Sequence, residues 1–210
     1  VAEVIEPRVL KEEISDKKIH LIRHTYRLIG DKGMHRMTLQ DVADSAGVSK
    51  AVIVYYFKGK ENLVLSTMTW VLGRVADRIE SAIANADSPE AKIRAMIDVI
   101  FVDPERNRNF YLAYTDLVDY AARNERFNEL STTFRSFINS LYADVIRSGV
   151  RDGAFSTPDV DQAATVVRAI IDGLFLQWLQ EETWRQLHAD FQKTCTDAVV
   201  TYLKRPLDKT

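Results

Sequence analysis

Three times the chain writes a capping side chain, a proline and an acid in succession: Ser88-Pro89-Glu90, Asp103-Pro104-Glu105 and Thr157-Pro158-Asp159. A side-chain acceptor ahead of the first turn, a ring that presets φ, and a negative charge at the positive end of the helix dipole all favour a helix start. The residues that follow keep helical time. Phe127, Leu130, Phe134, Phe137, Leu141 and Val145 advance by three or four, as do Ala163, Val167, Ile170, Leu174 and Trp178, and then Leu187, Phe191, Cys195, Ala198 and Tyr202. No alternating segment with a hairpin turn competes with them. An all-α fold of about nine helices joined by short connections is expected.

The N-terminal third holds the more specific pattern. From Asp16 to Lys32, Ile19, Ile22, Tyr26 and Ile29 share one helical face, and Gly33 stands where a C-terminal cap belongs. Thr38 and Asp41 have capping-box spacing for a second helix, which Gly47 ends, and Ser49 can cap a third. That third segment contains VIVYYF, a strand former by propensity. A lone strand among helices would leave its backbone groups unpaired, so helix is expected here too.

On a helix from Ser49 to Tyr56, Ile53 and Phe57 turn inward with Val48, whereas Lys50, Ala51, Val54 and Tyr55 project outward. Two short helices around a glycine turn make a helix-turn-helix, whose second helix enters the major groove. There Lys50 can donate to guanine, and Ala51, Val52 or Val54 can touch thymine methyls. Tyrosine hydroxyls, Thr38 and the amides after Gly59 can reach phosphates.

Charge agrees with this placement. The net charge is −2, yet residues 1–65 carry 11 Lys and Arg against 9 Asp and Glu, and three lysines with no acid lie between Asp44 and Glu61. Such a basic window can face a polyanion in an otherwise acidic protein. One cysteine, Cys195, excludes an internal disulfide and suits a reducing compartment; on its apolar stripe it reads as a buried small side chain. No apolar run approaches the ~20 residues of a membrane span, and the start VAEVIEPRVLKEE lacks a signal-type apolar core, so a cytoplasmic protein is expected. The chain begins at Val1 rather than Met, as a trimmed piece would, and residues 1–15 read as a flexible arm.

The run TLQDVADSAGVSKAVIVYYFKGKENL, with the helix from Asp16 to Lys32 before it, resembles the DNA-binding signature of the TetR family of bacterial transcriptional regulators. Thr38, Ala43, Gly47, Val48-Ser49-Lys50, the aromatic pair, Phe57, Lys60 and Leu63 fall in register. The resemblance implies a helix-turn-helix domain at 16–60 and a larger helical effector-binding and dimerisation domain at 61–205. It also implies a homodimeric repressor that binds a near-palindromic operator and releases it on binding a small molecule. Carried over, Lys50, Ala51 and Val54 read bases, Gln40 adds a base contact, and Thr38, Tyr55, Tyr56 and Lys60 hold phosphates, with Ser49 at the cap among the DNA-contacting residues. Val54 departs from a common aromatic, and Ala51-Val52 from a frequent Gly-Thr.

The closing stripes are expected to dimerise through Ala163, Val167, Ile170, Leu174, Trp178, Leu187, Phe191 and Ala198. A pocket is sought among Trp70, Phe110, Tyr114, Asp116, Phe134, Phe137, Asp172, Phe175 and Trp178, for an aromatic, apolar or cationic effector; a carboxylate beside rings suits a cation. A helical DNA-binding or adaptor protein without an effector is the alternative. No phosphate loop, nucleophile elbow or zinc signature is present, so neither enzyme activity nor a cofactor is expected. His20 and His24 have metal-ligand spacing but no third ligand, and no metal is expected.

Overall fold

The caps set the element boundaries in the computed structural model, which describes residues 15–205; the expected arm at 1–15 lies, all but its last residue, outside the described residues. Nine helices and no strand occur among them: α1 Asp16–Lys32, α2 Leu39–Ala46, α3 Lys50–Phe57, α4 Lys60–Ala84, α5 Pro89–Ile100, α6 Pro104–Ala121, α7 Glu125–Arg151, α8 Val160–Trp178 and α9 Trp184–Lys204. None is long and apolar enough to cross a membrane. The Ser88 hydroxyl accepts from the Ala91 amide at 3.2 Å and the Asp103 carboxylate from the Arg106 amide at 2.9 Å, as their Pro-Glu sequels imply. The third start differs. Asp159, not Thr157, caps α8 by accepting from the Gln162 amide at 2.9 Å, while Thr157 accepts from the Asp159 amide in a small turn. Aspartate can cap as well as threonine, and here it places Pro158 before the helix rather than in its first turn.

Two compact units divide the chain. One gathers the described residues up to Arg74 with Arg108–Phe134; the other gathers Val75–Asn107 and the described residues from Arg135 onward. The first has Leu21, Ile22, Ile29, Met37, Val42, Ala43, Ile53, Leu63 and Met68 nearly or wholly sealed from solvent. Asp116 accepts from the Met34 amide at 2.7 Å, which fixes the α1–α2 connection against α6.

The second unit packs α9 against α5 and α8. Phe101 stacks on Phe175 at 4.3 Å between ring centroids, and Trp178 donates its indole N–H to the Trp184 carbonyl at 2.6 Å. His188 pairs with Asn107 at 2.8 Å, and Asn107 donates to the Ile100 carbonyl at 2.6 Å, so these two side chains are answered within the core. Cys195 is buried, and burial, with the Asp172 carboxylate adding to it, pushes its thiol up to about 12.

Candidate nucleic-acid interface

Thr38 opens the helix-turn-helix with a reciprocal capping box. Its hydroxyl accepts from the Asp41 amide at 3.1 Å, and the Asp41 carboxylate accepts from the Thr38 amide at 2.8 Å. Lys32, from the last turn of α1, completes the corner by pairing with Asp41 at 2.7 Å. The Lys32 ammonium first, then the Thr38 donors, lower the Asp41 carboxyl from 3.8 to about 2. A depressed folded value means that this contribution is present in full above the unfolded value and is lost as the pH falls through the folded one.

Thr38→Ala is therefore expected to lower stability by about 1 kcal/mol in urea melts at neutral pH. Asp41→Asn should narrow its difference from wild type as the pH falls from about 4 to 2; a gap that stays constant across that window would contradict the assignment.

Gly47 ends α2 with φ +67°, where a side chain would be strained, and Val48 N–H returns to the Ala43 carbonyl at 3.0 Å. That closure aims α3 away from α2 after only two turns. Ile53 and Phe57 are buried, and Val54 and Tyr55 are 40% and 71% exposed, with Lys50 and Ala51 exposed beside them. Ser49 stands at the N-cap without making a side-chain cap bond, which leaves its hydroxyl for another partner. Tyr55 and Tyr56 meet edge to face at 5.1 Å.

The acids of α2 are occupied: Asp41 by Lys32 and Thr38, and Asp44 by Gln40, which donates to it at 2.7 Å. A base contact from Gln40 would first have to open that bond. Lys60 donates to the His35 carbonyl at 3.0 Å and keeps further N–H groups for an anion.

One candidate escaped the sequence reading. Lys58 caps α3 in the left-handed region, φ +61°, and its ammonium lies over the Tyr55 ring at 5.4 Å. The signal was its i+3 spacing from Tyr55, which sets the two side chains on one face.

His20 and His24 support the corner rather than a metal. His20 Nε2 lies 3.1 Å from the Ala46 carbonyl, and His24 Nδ1 lies 2.8 Å from the Ser45 hydroxyl, so α1 holds the C-terminal end of α2. Burial, then His20 and Arg27, lowers the pKa of His24.

The other sequence-chosen residues fall in both units. Trp70, Phe110, Tyr114, Asp116 and Phe134 belong to the first: Phe110 and Tyr114 stack at 5.8 Å, and Tyr114 meets Phe134 at 6.1 Å. Phe137, Asp172, Phe175 and Trp178 belong to the second, where Phe175 and Trp178 are sealed in the core. Arg168 bonds Asp172 at 3.2 Å, and burial raises the Asp172 pKa against that pull.

On α8 and α9 the structure separates two apolar faces. Ala163, Val167 and Trp178 are covered by their own chain, whereas Ile170, Leu174, Leu187, Phe191 and Ala198 retain accessible surface. A side chain built on Gly173 would meet nothing within 4 Å.

A two-turn helix with a buried aromatic anchor, an exposed face of lysine, small apolar groups and tyrosine, and neighbouring acids already paired is the reading head of a helix-turn-helix DNA-binding protein. Comparison with known proteins agrees. Residues 21–67 match the model of bacterial regulatory proteins of the tetR family, and residues 89–205 match that of the C-terminal part of BetI-type transcriptional repressors.

The chain is 29% identical over 174 residues to the HTH-type transcriptional regulator BetI of Rhizobium meliloti, covering 81% of each chain. It is 27% identical over 158 residues to the HTH-type transcriptional repressor KstR2 of Rhodococcus jostii, covering 73% of this chain and 76% of that one. A solved regulator structure from Saccharomonospora viridis, in complex with choline, shares the fold at a TM-score of 0.84 and 21% identity, over 92% of this chain and all of that one. The chain belongs to the TetR family and is a transcriptional regulator, not an enzyme.

Proposed function

We propose that the chain is a cytoplasmic homodimeric repressor that reads a near-palindromic operator through α3 and lets go of it when a small cation binds the helical region at 61–205. The observation that carries the DNA reading is the outward face of α3, where Val54 and Tyr55 stand exposed beside Lys50 while Ile53 and Phe57 are buried. An exposed apolar and aromatic patch of this kind calls for a partner. Lys50, Ala51 and Val54 read bases and Gln40 adds a base contact; Thr38, Tyr55, Tyr56 and Lys60 hold the backbone, with Ser49 at the cap of α3 beside them.

The accessible apolar side chains of α8 and α9 support pairing of two copies, with Gly173 allowing close approach. Two copies then address half-sites about 34–36 Å apart, or a multiple of that. The match to BetI-type repressors supports repression over activation.

For the effector, a choline complex among similar folds favours the cationic choice, and Asp172 would have to leave Arg168, to which it bonds at 3.2 Å, to meet such a ligand. The sealed packing of Phe175 and Trp178 favours the rival, a regulator with no small-molecule effector. A thermal-shift screen with quaternary amines separates them, since a ligand that binds only the folded protein must raise its melting temperature.

Selection of operator sequences in vitro, repeated with two variants, tests the DNA assignment. Lys50→Ala should relax preference at one position of each half-site, at a cost of about 1–3 kcal/mol on the preferred sequence. Lys60→Ala should weaken all sequences alike and reduce the salt slope by about 1. Wild-type affinity and selectivity in both would remove the reading.

A further inference from the structure

The Asp116 carboxylate, sought above as part of an effector pocket, is engaged within the first unit by the backbone of the reading head. Met34 is buried, and its amide follows the end of α1, where the Gly33 N–H already takes the Ile29 carbonyl at 2.8 Å. Asp116 accepts from the Met34 amide at 2.7 Å, across 82 residues of chain. A shielded backbone donor is costly to leave without an acceptor. The bond therefore pins the α1–α2 connection to one side chain of α6.

A second contact sets the rotation of α6 against α1. A Cβ built on Gly30 would overlap the Asn109 carboxamide, and one on Gly33 would stand 3.2 Å from the Asp116 carboxylate. Asn109 and Asp116 are seven residues apart, about two turns along one face of α6, and the two glycines share the end of α1. Missing side chains on α1 make room for the polar side chains of α6.

The pinned connection leads straight into the helix-turn-helix. The Met37 N–H returns to the Gly33 carbonyl at 3.2 Å, Met37 is sealed from solvent, and Thr38 follows as the cap of α2. Lys60 holds the same connection through the His35 carbonyl at 3.0 Å. Thr38 comes four residues after Met34, so a shift of the Met34 backbone is passed to the capping box with little chain to absorb it.

We propose that Asp116 is a positioning residue for operator binding: by holding the Met34 amide it keeps α2, and with it α3, in the geometry that fits DNA, and it is not a ligand for the effector. This role rests on the reading of α3 as the DNA-contacting helix. A residue that acts on the connection supplies no contact to a base or a phosphate. Its loss lowers the fraction of free protein in the competent geometry and leaves the bound complex unaltered, so apparent affinity falls while base preference and salt slope stay.

Asp116→Ala and Asp116→Asn in the full chain, without ligand, test this at a temperature where melting curves show both variants folded. Asp116→Ala should bind an operator selected in vitro about tenfold more weakly than wild type, by the same factor at every sequence and salt concentration. The asparagine carboxamide oxygen still accepts from Met34, so Asp116→Asn should return to within about threefold of wild type. Exchange of the Met34, Thr38 and Asp41 amide hydrogens should quicken about tenfold in Asp116→Ala and stay near wild type in Asp116→Asn, with the amides of α5 and α9 unchanged in both.

Wild-type affinity in Asp116→Ala, equal loss in both variants, or a changed base preference would overturn the proposal. So would full operator affinity joined to a lost thermal shift with choline, the pattern of an effector ligand. If wild type itself bound no operator, the DNA reading would fail and take the operator role of Asp116 with it; exchange unaltered by Asp116→Ala in a wild type that does bind would sink the positioning role alone.

Discussion

A Leu174→Glu, Phe191→Glu double variant is expected to be a folded monomer that binds the palindromic operator roughly a hundredfold to ten-thousandfold more weakly than wild type. Both side chains belong to the apolar faces of α8 and α9 that their own chain leaves partly uncovered. Glutamates there cost little in a monomer but would be buried without partners in a symmetric four-helix interface, where each residue meets its counterpart's neighbours. Two linked reading heads share one effective concentration, and a monomer loses it. Sedimentation should give the mass of one chain, circular dichroism a melting temperature near wild type, and an isolated half-site wild-type affinity. A variant that stayed dimeric, or a monomer with undiminished affinity for the palindrome, would remove the α8–α9 interface.

Phe57→Ala is expected to lower stability by about 3–5 kcal/mol and to abolish sequence-selective binding. Phe57 is 5% exposed and closes α3 onto its own domain, so truncation leaves a cavity under the last turn of the reading helix. Val54→Ala and Tyr55→Ala, on the opposite face, should stay within about 0.5 kcal/mol of wild type in stability while changing operator preference or affinity. Urea melts and in vitro selection on the same three variants separate anchoring from reading. Equal destabilisation by all three would mean that the two faces of α3 had been misassigned.

The helical content, the Thr38–Asp41 box and the inward pair Ile53 and Phe57 were legible because each depends on residues within one or two turns. The strand propensity of VIVYYF was overruled by context: an α3 buried on one side needs branched and aromatic anchors, and no second strand exists among the described residues to pair with it. Sequence placed the start of α8 too early because Thr157 and Asp159 are both competent caps, and only the fold selects between them.

The stripes on α8 and α9 were harder. Their apolar residues continue round the helix, so Ala163, Val167 and Trp178 shared a list with Ile170 and Leu174, although the first three point into the chain's own core. Periodicity reports that a residue is apolar, not which of two partners covers it. The pairs that occupy candidate residues, Gln40 with Asp44 and Lys60 with the His35 carbonyl, are likewise choices of rotamer that spacing does not fix. A cleft lined by Met34, Lys60, Glu61, Val64, Tyr120 and Phe127 was invisible for a different reason: its walls come from α4, α6, α7 and the α1–α2 connection, which lie far apart along the chain.

Cys195 gives the molecule a chemical clock. As the single thiol of the sequence, wholly enclosed and held in its unreactive protonated form, it is shut to oxidants and alkylating reagents for as long as α9 lies in place. The rate at which a thiol reagent consumes it therefore counts the openings of the C-terminal helices, including those too rare to alter any average property. A bound ligand or operator that tightens or loosens that region would reset the clock's pace, with no label added to the protein.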